Sequence, residues 1–197
     1  MTSEIANTTA KIISALYGNG APDKAALASL REAETIDSRR ARDVWPILFS
    51  EMDERYLSKD VGKPTSAENA IYTSLRCYAI YQQGIDHNVY ASKGTEGLAL
   101  FVALAKLRSN EEIRNALDRR VQNLFSSRNI LSVIKSVTQL VRILKSNDRN
   151  LLIDYADLAQ DLYYFQNSFE SSKRVFLKWG QQYYSRQSEK EADKVEE

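Results

Sequence analysis

Arg128, Lys135, Arg142 and Arg149 recur at every seventh position of this 197-residue chain. Seven residues are close to two turns of an α-helix, so on one helix these cations line up along one side. The interval between Asp118 and Asp148 contains no acidic residue, yet it carries Arg119, Arg120, Arg128, Lys135, Arg142 and Lys145. A solvated helix face ordinarily mixes signs, because opposite charges four apart support the helix and like charges oppose it. A one-signed stripe therefore points to an anionic partner. A line of cations with few acids suits a nucleic-acid backbone that is held without reading its bases.

The bias is local. Lys plus Arg totals 27 and Asp plus Glu 26, for a net charge of +1, whereas residues 106–150 hold 10 basic and 4 acidic groups. A globally basic nucleic-acid-binding domain would be charged throughout. The candidate phosphate contacts are Arg128, Lys135, Arg142, Lys145 and Arg149, flanked by Lys93, Lys106, Arg108 and Arg119. Arg120 falls at the edge of an apolar helix face and is expected inside, in a salt bridge. A buried guanidinium needs a carboxylate; Asp154, Asp157 and Asp161 are the candidates, Asp157 and Asp161 foremost. An alternative reading of the stripe is a protein–protein adaptor docked on an acidic partner surface.

Other constellations support no chemistry. Asp154, Asp157 and Asp161 could in principle hold a divalent metal, but no histidine accompanies them and pairing with Arg or Lys is the better reading. His87 is the only histidine and lacks a nucleophile motif nearby. Cys77 is the only cysteine, which excludes an internal disulfide. There is no phosphate-binding glycine loop, HExxH or GxSxG. The expectation is a protein with no catalytic activity, no metal and no cofactor. The C-terminal aromatics fall mostly at core spacing, with Tyr164 and Tyr184 the least committed.

The elements that must position the stripe are helices. Only 7 Gly and 3 Pro occur, and apolar residues recur at three- and four-residue spacing almost throughout. An all-α fold of about nine helices follows. Their expected spans are 3–17, 24–34, 37–56 with a restart at Pro46, 66–83 behind a Thr65 or Ser66 cap, 96–108, 111–126, 129–146, 151–166 and 168–186. In the seventh, Ile130, Ile134, Val137, Val141 and Leu144 face inward, and Lys135 and Arg142 lie opposite. The charge shift near Arg108 suggests two small helical bundles, 1–108 and 109–186, followed by a disordered charged tail at 187–197. No apolar run reaches membrane-spanning length and the start lacks a signal-peptide pattern, so a cytoplasmic protein without membrane contact is expected.

The order of these features resembles the CasB family, the small subunit of the type I-E CRISPR Cascade complex. The resemblance runs through KGTEGLALFVALAKL at 93–107, DRRVQNLFSSRNILSVIKSVTQLVRILKS at 118–146, IDYADLAQDLYYFQNSF at 153–169 and VFLKWGQQYY at 175–184. It implies a non-catalytic subunit that assembles beside a second copy of itself, along the backbone subunits that hold the guide RNA, and touches the large subunit. It also implies that the basic surface stabilises the R-loop by holding nucleic acid, the displaced strand of the target DNA or the guide RNA. Base pairing with the guide then reads the sequence, and the protein need supply only phosphate contacts.

Overall fold

The computed structural model describes residues 4–60 and 62–185. Among them the chain is all-α, with nine α-helices: α1 (Glu4–Leu16), α2 (Lys24–Glu32), α3 (Trp45–Glu51), α4 (Ser66–Gln82), α5 (Leu100–Leu107), α6 (Glu111–Phe125), α7 (Ile130–Asn147), α8 (Tyr155–Phe165) and α9 (Phe169–Tyr184). The expected tail at 187–197 lies outside the described residues.

Helix α4 is the centre. Every residue from Ala70 to Gln82 is buried, the polar Thr73, Ser74, Arg76 and Gln82 together with the apolar ones. It packs against α1, α2, α7 and α8. Its start is the expected capping box: the Thr65 hydroxyl accepts from Glu68 N at 3.1 Å, and Glu68 accepts from Thr65 N at 2.6 Å. The same carboxylate also takes Ser58 N at 3.1 Å, which ties the preceding loop to the helix. Elements on both sides of Arg108 share one core, with α4 against α7 and α8, and α5 against α7 and α9.

Three expected helix boundaries move, each for a tertiary or local reason. The third helix is shorter than 37–56. A 3₁₀ turn at Arg39–Val44 precedes it, Pro46 sits in its first turn, and Asp53 caps a separate 3₁₀ turn at Glu54–Tyr56. α5 begins at Leu100 rather than Glu96, and α8 at Tyr155 rather than Leu151. The missing turns are not helical, because Leu98 and Tyr90 both form parallel bridges to Ile153. Leu98 N donates to Leu152 O at 2.8 Å, Asp154 N to Leu98 O at 2.9 Å and Ile153 N to Val89 O at 3.0 Å. Gly97 makes this possible: a Cβ there would stand 1.8 Å from Ala91 O. The buried Gln82 amide holds the 84–95 loop from below, donating to Ile85 O and His87 O and accepting from Val89 N.

Candidate nucleic-acid interface

Helix α7 starts where Asn129 accepts from Leu131 N at 2.8 Å. Its inner face buries Val133, Val137, Thr138, Leu140, Val141 and Leu144 against α4, α5 and α6. The outer face carries Lys135 and Arg142, with Arg128 and Arg149 just beyond either end, and all four side chains are exposed. None of the four makes an ion pair within the described residues. At 1.5 Å per residue the 18-residue helix beneath this row is about 27 Å long.

Two neighbours widen the row. Arg120 and Lys135 line the same shallow cleft between α6 and α7, with Asn123, Ser136 and Gln139. Towards the C-terminal end, Lys145 is half-buried and donates to Ile80 O at 2.7 Å. Burial first, and then the charges of Arg149, Arg31 and Arg142, pull its ammonium down to about 8. Four cations therefore converge there, one of them from α2. Beneath them Arg76 of α4 is buried and donates to the Thr138 hydroxyl at 3.4 Å, while its Nε has no partner.

Two expectations about structural charges are corrected. Arg120 is exposed, not buried, and does not bridge to Asp157 or Asp161. Lys178 of α9 holds both carboxylates, at 2.9 Å from Asp157 and 2.7 Å from Asp161, and Trp179 Nε1 donates to Asp161 at 2.8 Å. The α8–α9 hairpin brings Lys178 across this row of acids, whereas Arg120 faces α7. Burial pushes the Asp161 carboxyl up to about 6 against the pull of Lys178. Burial alone would lower the Lys178 ammonium, but the two carboxylates hold it above its ordinary value.

Arg108 is likewise engaged inside the protein. It donates from Nε to Asp118 at 2.9 Å and lies over the rings of Tyr183 and Tyr184. Tyr183 donates to the same carboxylate at 2.7 Å. Burial works the other way, yet these bonds hold the Asp118 carboxyl below its usual range. Arg119 is exposed on α6 and Lys106 is half-buried in the last turn of α5. Lys93 stands apart from α7, in a cleft with Asn7 of α1 and Gln160 of α8, while its backbone N–H donates to Asp154 at 2.7 Å. Among the described residues no group of three His, Cys, Asp or Glu could hold a metal ion. No described helix is long and apolar enough to cross a membrane.

Sequence reasoning missed Arg31 and Lys178, because nothing in the order of residues shows that Arg31 of α2 comes near Lys145 of α7 or that Lys178 of α9 reaches the acids of α8. The family model for CRISPR-associated protein Cse2 matches residues 26–184 of this chain, the span that contains every element of the basic face. The chain belongs to the Cse2 family. The resemblance to CasB read from its motifs is borne out. The fold is similar to the crystal structure of CasB from Thermobifida fusca, at a TM-score of 0.68 and 23% identity, covering 94% of this chain and 100% of that one. No curated protein matches the chain in sequence. Membership of the Cse2 family supports a subunit role in the CRISPR Cascade complex.

Proposed function

We propose that this Cse2-family chain is a non-catalytic Cascade subunit that stabilises the R-loop by holding a nucleic-acid backbone on the outer face of α7. The strand would be the displaced target DNA or the guide RNA, and a second copy of the chain and the backbone and large subunits would be its protein partners in the cytoplasm. The observation that carries this reading is the row Arg128, Lys135, Arg142 and Arg149, exposed and without ion pairs among the described residues, joined by Arg120 and by the cluster at Lys145. Unpaired like charges do not help a helix, so folding alone gives no reason for the arrangement. Phosphates do, since each neutralised phosphate releases condensed counterions.

The test is the salt dependence of single-stranded DNA binding by the double variant Lys135→Glu, Arg142→Glu. Each lost phosphate contact should remove ~0.7 from the slope of log K against log salt. An unchanged slope with unchanged affinity would overturn the reading, and binding to an acidic protein surface but to no strand would favour an adaptor instead.

A further inference from the structure

The end of α6 and the connection to α7, Phe125 to Arg128, open onto a cleft of about 480 Å³ shared with the α8–α9 corner, within the size range of small-molecule sites. Its floor is aromatic. The Phe176 ring packs between Phe125 at 5.5 Å and Phe165 at 5.1 Å. One wall is Phe169, whose side chain is 62% exposed although it is a large apolar group. The Lys173 ammonium sits over that ring at 4.2 Å. Arg128 closes the other side and has no ion pair among the described residues. No acidic residue lines the cleft among the described residues.

The hydroxyls at the rim have a defined polarity. Ser126 donates to Gln122 O at 3.0 Å, Ser127 to Asn123 O at 3.2 Å and Ser172 to Phe169 O at 2.7 Å. Each has thereby used its one proton, and its oxygen keeps acceptor capacity. The cleft thus presents an aromatic surface, acceptors around it and two cations at its mouth. A planar ligand with N–H donors and an attached anion matches all three features. Because Arg128 is also the first member of the α7 row, that ligand can belong to the strand lying on the row.

We propose that this cleft takes up one unpaired nucleobase, stacked on Phe169 and the Phe125–Phe176–Phe165 floor, with the adjoining phosphate on Arg128. The inference rests on the nucleic-acid reading above and adds to it a contact made to a base rather than to the backbone. Stacking of this kind tolerates any base, since every base has a π-face. The Lys173–Glu170 contact at 3.2 Å is solvent-exposed, so it contributes little and leaves Lys173 available to a phosphate.

The experiment compares the intact chain with Phe169→Ala, Phe169→Trp and Arg128→Ala, on oligo(dT), oligo(U) and an abasic strand of equal length. Phe169 is exposed, so its variants should keep the wild-type melting temperature. Wild type should bind a base-bearing strand about five-fold or more tightly than the abasic one, and Phe169→Ala should lose that factor. Phe169→Trp should keep it. The salt slope should not move with Phe169→Ala, whereas Arg128→Ala should lower it by ~0.7. The two base-bearing arms report whether a DNA or an RNA base enters. If Phe169→Ala and base removal change nothing while Lys135→Glu, Arg142→Glu still weakens binding, the pocket falls and the backbone reading stands. If wild type binds none of the strands, both fall.

Discussion

The α8–α9 hairpin and the outer face of α7 treat charge in opposite ways. In the hairpin, Lys178 meets Asp157 and Asp161 within 2.9 Å, and Asp161 is only 4% exposed. On α7, Lys135 and Arg142 meet no carboxylate among the described residues and are exposed. Charge that leaves water has to be neutralised locally, or it shifts its protonation state instead. Charge that stays in water can remain unpaired at small cost, and is then available to something outside the molecule. The difference separates cations that hold the fold from cations left open for the proposed interface, and the two kinds should fail differently when removed.

The largest effect belongs to the hairpin. Lys178→Met keeps most of the stem but leaves Asp161 buried without its cation, and should lower unfolding stability by about 3 kcal/mol in urea melts at neutral pH. The sign of its pH dependence follows from Asp161. A carboxyl whose folded value lies above its unfolded one is favourable when protonated, and that contribution is lost as pH rises through the folded value. The defect should therefore shrink as pH falls from 7 towards 4. Salt-dependent DNA binding by the surviving folded protein should not change. A Lys178→Met variant with wild-type stability would erase the contrast between the two regions.

Next comes Arg108, which the sequence groups with the phosphate contacts and the structure ties to Asp118 and Tyr183. Arg108→Ala should cost about 2 kcal/mol, the range for a hydrogen bond to a charged group. It should leave the salt slope alone. Arg142→Ala should do the reverse: stability within about 0.5 kcal/mol of wild type, as for a surface substitution, and a slope lower by ~0.7 on single strands. Equal behaviour of the two arginines would mean that ion pairing inside the fold does not distinguish structural from interface cations.

These two arginines also mark what was legible in the sequence. Local features came through. The Thr65–Glu68 capping box, the inward set from Val133 to Leu144 and the exposure of Lys135 and Arg142 all follow from spacing along one helix. Features that need two elements did not. Asp161 has Lys178 because α9 doubles back on α8, and Arg31 joins Lys145 because α2 and α7 both pack on α4. Residues 96–99 and 151–154 look helical by composition but are not helical, since Ile153 bridges to both Tyr90 and Leu98. Phe169 has an aromatic side chain in a crowded aromatic segment, yet its place in the first turn of α9 leaves it exposed.

The smallest effect lies where the two treatments of charge overlap, at Lys145. It is half-buried like the hairpin lysine but is surrounded by Arg149, Arg31 and Arg142 instead of carboxylates. Its ammonium falls to about 8, so above that pH the free protein releases a proton that the unfolded chain keeps until its ordinary 10.5. The folded state binds fewer protons in that window, and stability from this group rises as pH rises through it. Strand binding should move the other way. Phosphates beside the cluster offset the repulsion and favour the charged amine, so affinity should weaken as pH climbs from 7 to 9. Lys145→Arg stays charged across that range and should flatten the profile. Binding titrations at constant ionic strength would read both proteins. A wild-type affinity that is level from pH 7 to 9 would remove Lys145 from the interface and leave the exposed row on α7 to act without it.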